Sequence, residues 1–317
     1  MKILTLTMNP TIDISARAEH VAANRKIRCG TPANDPGGGG INTSVAMREL
    51  RCRSTAVFPC GGPPGETLQQ LLRRRGIPHI PVAIQGWTRQ NLTVHEESSG
   101  DEFRFLMPGP ALKEEERNAC LEVLRKEEPA PDYIVANGSF PPDVPPEFMR
   151  TLVATAKDRG ARLVVDTSGE ALQTAVMEGV FLIKPNFREL KDLLDSLDLS
   201  PPDLESETGL EKALEDLMTR GGCEVVVLSL GAGGVVLATA GGIERFRAPT
   251  VPIASRVGAG DSTIAGIMTG LSRGDEMREA VRLGVAAGSA AVMTPGTELC
   301  RRQDVERLEK QMKESGD

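Results

Sequence analysis

Short runs of aliphatic, mostly β-branched residues alternate with longer helix-like segments along this chain of 317 residues. The runs that we predict to be strands are residues 2–8, 54–59, 132–136, 162–166, 180–184 and 224–230. The predicted helices are residues 42–50, 66–75, 113–126, 146–158, 187–197, 210–220, 261–271 and 277–294. Because such alternation is typical of strands joined by crossover helices, it predicts an α/β fold with a mostly parallel sheet flanked by helices.

Two segments in the first third of the chain break this alternation. Residues 14–34 have little helical period, and residues 91–107 read as two strands around the polar turn Ser-Ser-Gly-Asp. No Pro- or Ser-rich linker separates two halves, and the nearest candidate, residues 200–202, is predicted to be a surface loop. We therefore expect a single domain over residues 1–317 with a small β-rich lid formed by residues 14–34 and 91–107.

The charge balance excludes some classes of partner. Lys and Arg together number 37 against 44 Asp and Glu, a net charge of −7, which argues against a nucleic-acid partner. The negative net charge still allows binding of small anions, because a local basic cluster such as Arg25, Lys26 and Arg28 can attract them. The uncharged stretch 225–242 contains five glycines, which indicate strand, turn and strand rather than a membrane span.

The cysteines and the N-terminus indicate the compartment. The six cysteines are scattered without a C-x-x-C pair, and no histidine lies at a spacing that would complete a zinc site. They are expected to be reduced thiols. The first ten residues enter a strand directly, without the pattern of a secretory signal. We expect a cytoplasmic protein.

A run of four glycines, Gly37 to Gly40, opens a predicted helix and is followed by Ile41 and Asn42. Such a run lets a ligand press against bare backbone N–H groups, and an Asn side chain suits sugar hydroxyls. No Lys-Ser/Thr pair follows the glycines, and Asn42 occupies the last place of a G-x-G-x-x-G pattern, so neither common nucleotide fingerprint matches. The alternative is a flexible linker.

A second glycine segment, Val-Gly-Ala-Gly-Asp-Ser at 257–262, also opens a predicted helix. Backbone N–H groups at a helix N-terminus bind anions and would stabilise a phosphoryl group in transfer. Asp261 directly after them could accept the proton of an attacking hydroxyl. The alternative is that Asp261 only caps its helix.

Two further motifs lie at predicted strand ends. The spacing N-x-x-E places Asn186 and Glu189 on one side of a helical turn, where both could hold water around Mg²⁺, although a capping box looks nearly the same. Residues 229–234, Ser-Leu-Gly-Ala-Gly-Gly, end an apolar strand, where α/β proteins bind nucleotides, although hairpin glycines explain them equally well.

Two charged residues complete the candidate set. Asp13 in N-P-T-I-D could grip two sugar hydroxyls, and Arg89 in W-T-R-Q-N offers a fork suited to phosphate. Either could be an ordinary surface charge. The three histidines show no partner pattern that would make one of them a nucleophile or base.

These motifs occur in the order found in the PfkB or ribokinase-like carbohydrate kinases, which the chain resembles from residue 1 to residue 300. The resemblance rests on N-P-T-I-D, the glycine run with Asn42, K-P-N-x-x-E and G-A-G-D. Further strings are similar to the minor, PfkB-type bacterial 6-phosphofructokinases. They are K-I-R-C at 26–29, W-T-R-Q-N at 87–91, F-x-M-P-G at 105–109, D-x-S-G-E-A-L at 166–172 and V-A-A-G-S-A-A at 285–291.

The resemblance implies a three-layer ribokinase-like α/β fold with a β lid that interlocks in a homodimer. It also implies Mg²⁺, ATP as co-substrate and often a monovalent cation such as K⁺. The implied reaction is ATP-dependent phosphorylation of fructose 6-phosphate at its C1 hydroxyl. Tagatose-6-phosphate and fructose-1-phosphate kinases share nearly every motif and stay as alternatives. A nucleoside or free-sugar kinase would lack the cluster of Lys26, Arg28 and Arg89, and a non-catalytic sugar-binding protein would be expected to lack Asp261 or an anion-hole glycine.

The resemblance also implies a role for each site residue. Asp261 would be the base, and Gly258, Ala259 and Gly260 the anion hole. Asp13, Gly38, Gly39, Asn42 and Ser139 would hold the sugar, and Lys26, Arg28 and Arg89 its phosphate. ATP would contact Lys184, Asn186, Ser229, Gly231, Gly234 and Ser289. Glu189 would lie near Mg²⁺, and Ser255, Val257, Ala291, Thr294 and Gly296 would surround a monovalent cation. The chain departs from the family at Arg256, where Thr is usual, and at Pro295 and Glu298.

Overall fold

The computed structural model describes residues 1–141, 143–201 and 203–315. Pro202 of the predicted surface loop and the last two residues of the predicted domain lie outside the described residues.

Strands and helices follow one another much as the sequence predicts. The strands are β1 (Ile3–Leu6), β2 (Thr11–Ala18), β3 (Ala33–Gly37), β4 (Thr55–Cys60), β5 (His79–Ala83), β6 (Arg89–Glu96), β7 (Glu102–Phe105), β8 (Tyr133–Asn137), β9 (Arg162–Asp166), β10 (Leu182–Ile183), β11 (Val225–Ser229), β12 (Val235–Thr239) and β13 (Gly242–Phe246). The helices are α1 (Gly39–Glu49), α2 (Gly62–Arg74), α3 (Glu114–Lys126), α4 (Pro146–Asp158), α5 (Gly169–Glu178), α6 (Phe187–Ser196), α7 (Glu207–Gly221), α8 (Ala259–Arg273), α9 (Met277–Ala291) and α10 (Arg302–Ser315).

The main sheet has nine strands in the order β13-β12-β11-β10-β9-β8-β1-β4-β5. Neighbours from β11 to β5 pair in parallel, whereas β12 runs antiparallel to both β11 and β13. The predicted mostly parallel sheet is confirmed. Residues 225–242 form β11, a turn and β12, as predicted, and no helix among the described residues is long and apolar enough to cross a membrane.

Alternation along each strand separates the two faces of this sheet. In β8, Ile134 and Ala136 pack in a core with α3 to α7, whereas Tyr133 and Val135 pack on the opposite side with α1, α8, α9 and α10. Because successive side chains of a strand point to opposite faces, one sheet supports two helical layers. The predicted three-layer arrangement is confirmed.

A separate four-stranded sheet has the order β3-β2-β6-β7. Its strands β2 and β6 run parallel over eight residue pairs, from Thr11 with Arg89 to Ala18 with Glu96. The predicted strand pair in 91–107 corresponds to β6 and β7. In the predicted segment 14–34, only the two ends are strands, and residues 19–32 form neither helix nor strand.

The sequence analysis did not predict four of the elements, namely β5, β13, α5 and α10. Strand β5 contains Pro81, which argues against a strand unless the strand lies at an edge, and β5 is the last strand of its sheet.

Candidate active site

The polar residues of the site lie where parallel strands of the main sheet end. Asn9 follows β1, Asn137 ends β8, Asp166 ends β9, Lys184 follows β10 and Ser229 ends β11. Strands β1, β8, β9, β10 and β11 are consecutive neighbours in the sheet. Because α/β proteins bind ligands outside the carboxyl ends of such strands, this edge is the candidate active site.

Two amide side chains hold the carboxylate of Asp261. Asn42 Nδ2 donates to Asp261 Oδ2 at 2.8 Å, and Asn137 Nδ2 donates to Asp261 Oδ1 at 3.0 Å. The N-cap residue of helix α8 is Gly258, and no side-chain hydrogen bond caps this helix. Asp261 is therefore not the helix cap that its position allowed, and its oxygens face groups from α1 and β8.

Burial sets the acidity of this carboxyl. Desolvation raises the pKa of Asp261 above the ordinary aspartate value, against the opposing effect of the hydrogen bonds from Asn42 and Asn137 and of the charge of Lys184. A carboxylate with a raised pKa is a better proton acceptor than an exposed one. The arrangement suits a general base.

Gly258 gives the anion-binding turn its shape. Its φ of 73° is in the left-handed region, and a Cβ at this position would overlap the side chain of Leu299. The first N–H groups of α8 have no partner within the helix, since a helix always leaves its first turn unpaired. These groups can receive an anion at the place where the sequence predicts the anion hole.

Lys184 lies behind the same turn. Its Nζ is 3.1 Å from Asp166 Oδ2, and a Cβ built on Gly260 would be 3.3 Å from that nitrogen. Burial alone would lower the pKa of Lys184, but the charge of Asp166 and the hydrogen bond to it raise this pKa above the ordinary lysine value. The structure thus adds a buried cation beside the predicted anion hole.

Asp13 occupies the small sheet opposite β3. Its Oδ1 accepts a hydrogen bond from Asn91 Nδ2 at 2.9 Å, and a Cβ at Gly37 would overlap its Oδ2. Burial raises the pKa of Asp13, while Asn91 and Arg89 oppose that shift. The charge of Asp13 also contributes to raising the pKa of Asp261, after the larger effect of burial.

Arg89, Ser139 and Gly38 meet around Asn9. Arg89 Nη2 donates to the backbone oxygen of Asn9 at 2.9 Å, and Asn9 Nδ2 donates to Ser139 Oγ at 3.3 Å. A Cβ built on Gly38 would lie 3.7 Å from the same Asn9 oxygen. Arg89 Nη1 further donates to Met107 O at 3.2 Å. Three of the predicted sugar residues therefore converge on one residue to which the sequence analysis gave no role.

Lys26 and Arg28 lie on the exposed segment between β2 and β3. Arg28 lines a cleft of about 860 Å³ that runs from Asn42 along the small sheet to residues 295–301, whereas Lys26 is not part of its lining. At the far wall of the cleft, Thr297 Oγ1 donates to Asp35 Oδ2 at 2.7 Å, and Arg75 also pairs with Asp35.

The predicted nucleotide residues follow β10 and β11. Asn186 and Glu189 form a capping box, in which the N–H of each residue donates to the side-chain oxygen of the other at 2.9 Å. Asn186 and Ser229 also form a parallel bridge. The cap interpretation of N-x-x-E is therefore confirmed, and one carboxylate oxygen of Glu189 stays without a partner in this cap.

The glycines after β11 serve the hairpin. Gly234 has φ 88°, and a Cβ there would overlap the backbone of Phe246. Gly231 is exposed, with φ 59°, and Ser289 is buried in α9. Hairpin packing thus accounts for Gly234, whereas Gly231 leaves exposed backbone at the same edge.

The five predicted cation residues lie in two segments that touch, a loop with Ser255 and Val257 and the end of α9 with the loop that follows it, which supply Ala291, Thr294 and Gly296. Ser255 Oγ donates to Gly296 O at 2.9 Å and accepts from Val257 N at 3.2 Å, while Thr294 Oγ1 donates to Ala291 O at 2.7 Å. Arg256 is exposed between Ser255 and Val257. Gly296 O keeps a second lone pair that fits a weakly bound cation, whereas Ala291 O already accepts from both Thr294 N and Thr294 Oγ1.

The sequence reading gave no role to Asn9, Asn137 or Asp166. All three stand at the carboxyl ends of neighbouring parallel strands, and that position is the signal that could have identified them. No group of three or more His, Cys, Asp or Glu residues in the described ranges could hold a metal ion.

Comparison with known proteins identifies the family. The profile of the pfkB family of carbohydrate kinases matches residues 6–304. The chain belongs to this family. It is accordingly a phosphotransferase that acts on a hydroxyl group of a carbohydrate, and such a kinase uses ATP and a divalent metal.

Individual relatives are close along their whole length. The chain is 42% identical to ATP-dependent 6-phosphofructokinase isozyme 2 of Mycobacterium tuberculosis over 307 residues, which cover 97% of this chain and 88% of that protein. It is 31% identical to 1-phosphofructokinase of Bacillus subtilis, over 93% of this chain and 95% of the relative.

Solved structures agree with these matches. Phosphofructokinase-2 of Escherichia coli in complex with potassium superposes with a TM-score of 0.91 at 38% identity, covering 98% of this chain and 99% of that one. The same protein in complex with fructose-6-phosphate gives a TM-score of 0.90 at 37% identity, with the same coverage.

Proposed function

We propose that this carbohydrate kinase transfers the γ-phosphoryl group of ATP to the C1 hydroxyl of fructose 6-phosphate. The observation that carries the proposal is the Asp261 carboxylate, held by Asn42 and Asn137 in the first turn of α8. The identity of 42% to a 6-phosphofructokinase, against 31% to a 1-phosphofructokinase, favours fructose 6-phosphate over fructose 1-phosphate.

In the proposed mechanism, Asp261 accepts the proton of the attacking hydroxyl. Asn42 and Asn137 keep the carboxylate oriented, so that no rearrangement is needed when the hydroxyl arrives. The free N–H groups of residues 258–260 face the oxygens of the transferred group, and the charge of Lys184 behind Gly260 adds to their effect.

The sugar lies between two recognition ends. Asp13 and Asn42 bind its hydroxyls, with Gly38 and Gly39 as close backbone neighbours. Lys26, Arg28 and Arg89 bind the existing phosphate, and Ser139, joined to Arg89 through Asn9, lies at the same end of the sugar. With the phosphate held at that end, the opposite hydroxyl faces Asp261 and the phosphoryl donor.

The nucleotide is proposed to lie along Lys184, Asn186, Ser229, Gly231, Gly234 and Ser289, at the ends of β10 and β11. Glu189 fits Mg²⁺ held through water rather than directly, because one of its oxygens is engaged in the capping box. Mg²⁺ retains several waters in such kinases and neutralises charge on the phosphates of ATP.

A monovalent cation such as K⁺ is proposed between the loops of Ser255, Val257, Ala291, Thr294 and Gly296. The loop that supplies Ser255 and Val257 leads directly into Gly258. A cation there would stiffen the turn that carries the anion-binding N–H groups.

The small sheet is proposed to act as a lid over the sugar and as the contact surface of a homodimer. Most of the exposed large apolar residues of the described chain lie in or beside it, namely Ile27, Trp87, Phe105, Leu106 and Met107. All six cysteines are unpaired, which fits work in the reducing cytoplasm.

A coupled assay of ADP release over a panel of sugars tests the proposal. The panel contains fructose 6-phosphate, tagatose 6-phosphate, fructose 1-phosphate, free fructose and a nucleoside, and ³¹P NMR locates the new phosphate. We expect the highest kcat/KM with fructose 6-phosphate and a product phosphorylated at C1. Arg89→Ala should raise the KM for the sugar phosphate far more than the KM for ATP, whereas Arg125→Ala, an exposed control on α3, should change neither.

Each other outcome identifies a different error. A preference for fructose 1-phosphate would mean that the sugar binds in the opposite orientation, with its phosphate still held by the same residues. A preference for free fructose or a nucleoside would show that Arg89 and its neighbours do not bind a phosphate of the acceptor. Binding without turnover would indicate a sugar-binding protein.

A further inference from the structure

Asn9 lies at the centre of the phosphate end of the site although it has no charge. Only 7% of its surface is exposed. Its backbone oxygen accepts from Arg89, its Nδ2 donates to Ser139, and its Oδ1 has no hydrogen-bond partner. Gly109 lies so close to this Oδ1 that any side chain at position 109 would overlap it.

The direction of the bond to Ser139 decides what the hydroxyl can do. A hydroxyl has one proton to donate and two lone pairs to accept with. Because Ser139 Oγ accepts from Asn9 Nδ2, its own proton is left for a second partner. That partner must be a hydrogen-bond acceptor. A phosphate oxygen meets this requirement, whereas a group that only donates does not.

The backbone of the same residue orients Arg89. A guanidinium has five N–H donors, and carbonyl oxygens of Asn9 and Met107 take two of them. Arg89 Nε is buried without a partner, so it keeps an unused donor. Burial lowers the pKa of Arg89, which shows that its charge is partly desolvated and would be favoured by a nearby anion.

Unpaired buried polar atoms are rare in folded proteins, and Asn9 Oδ1 and Arg89 Nε are both of this kind, on two residues joined by a hydrogen bond. A phosphate oxygen would accept from Arg89 Nε and so offset the cost of that buried donor, whereas Asn9 Oδ1, itself an acceptor, lies against Gly109.

We propose that Asn9 is a positioning residue that leaves Ser139 and Arg89 with unused donors at the phosphate end of the sugar site, and so selects phosphorylated over free sugars. This inference rests on the proposed function. Asn9 acts through Ser139 and Arg89 rather than by touching the reacting atoms. Its carboxamide is required because it must donate to Ser139, which a carboxylate of the same shape cannot do.

Asn9→Asp is the sharpest test, since it keeps the shape and reverses the hydrogen bond. Ser139 must then donate its proton to the introduced carboxylate, and a negative charge lies beside the phosphate. The KM for fructose 6-phosphate should rise about 10- to 100-fold, the effect of losing a hydrogen bond to a charged group, while the KM for ATP stays the same. The kcat/KM ratio of fructose 6-phosphate to free fructose should fall by a similar factor.

The pH dependence separates this role from a loss of packing. A protonated carboxyl regains one donor, so the rise in KM, taken relative to wild type at each pH, should shrink as the pH falls from 8 to 6. Asn118→Asp, on the exposed side of α3, is the matched control and should show neither effect.

A double variant covers the case in which Asn9→Asp is unstable. If Asn9 acts through Ser139, then Asn9→Ala and Ser139→Ala together should raise the KM for the sugar phosphate by less than the product of their separate effects. Effects that multiply, or an unchanged preference for the phosphorylated sugar in Asn9→Asp, would overturn the inference. A wild-type enzyme without such a preference would overturn the proposed function instead.

Discussion

Asn42 and Asp261 are 219 residues apart in the chain, and a hydrogen bond of 2.8 Å joins Nδ2 of the first to Oδ2 of the second. Asn42 lies in the first turn of α1 and Asp261 in the first turn of α8, so the bond joins two helix starts. Asn137 holds the other oxygen from the end of β8. The carboxylate is thus oriented by both the sheet and a facing helix before any substrate is present.

Asp261→Asn should abolish turnover while preserving the fold and the binding of both substrates. The substitution keeps the shape but removes the proton acceptor, whose loss typically costs about 10²–10⁴-fold in rate. Single-turnover kinetics and circular dichroism measure the two effects. A rate within a few-fold of wild type would show that another group accepts the proton.

The acid side of the kcat profile should report the raised pKa of Asp261. The group acts when deprotonated, so activity falls as the pH drops through its pKa, and this fall should begin above the usual aspartate range. Asn137→Ala removes a bond that stabilises the charged form, and it should move the acid limb to higher pH. Measuring kcat at saturating substrate keeps the titration of the free sugar phosphate out of the profile. An acid limb that stays in place would exclude Asp261 as the titrating group.

Leu106→Glu should weaken the homodimer. Leu106 is 65% exposed beside β7, and burying a charge in an apolar contact is costly. Analytical ultracentrifugation at micromolar concentration should show a dimer for wild type and a shift to monomer for the variant. Met177→Glu, equally exposed on α5, is the control and should stay dimeric. A monomeric wild type would refute the proposed dimer.

Arg256→Thr should increase the activation of the enzyme by K⁺. A guanidinium next to the two cation loops opposes a second positive charge, and Thr removes that repulsion. Titration of kcat/KM with KCl at constant ionic strength, with tetramethylammonium chloride as the balancing salt, measures the difference. Equal K⁺ dependence in the two proteins would mean that Arg256 does not affect the cation site.

The fold was predictable from sequence because its signals are local. The aliphatic runs that became β8, β9 and β11 and the glycines before α1 and α8 each determine structure within a few residues. The motif residues Asn42 and Asp261 were found for the same reason. The partners of these residues were not found from the sequence. Asn137, for example, resembles any polar residue at the end of a strand, and only the sheet order, which places β8 beside β1, shows that it belongs to the site.

The alternatives left open by the sequence were resolved by contacts. Asp261 and Asn186 both stand at helix starts, and either could have been a cap. Asn186 accepts from Glu189 N and is a cap, whereas Asp261 bonds to Asn42 and Asn137 and is not. Nothing in the spacing of the residues separates these two cases, because the deciding partners of Asp261 are more than 120 residues away.

The pairing of α1 with α8 has a consequence for synthesis of the protein. Ala46 and Met47 of α1 pack in one core with Ile264 and Met268 of α8. Asp35 accepts a hydrogen bond from Thr297, which lies 262 residues later in the chain. At about 5–20 residues per second, translation takes roughly 10–45 seconds to pass from α1 to α8, and during this time α1 can pack only on earlier elements such as β1, β4 and β8. The packing of α1 against α8 and the bond between Asp35 and Thr297 can therefore form only when synthesis is nearly complete.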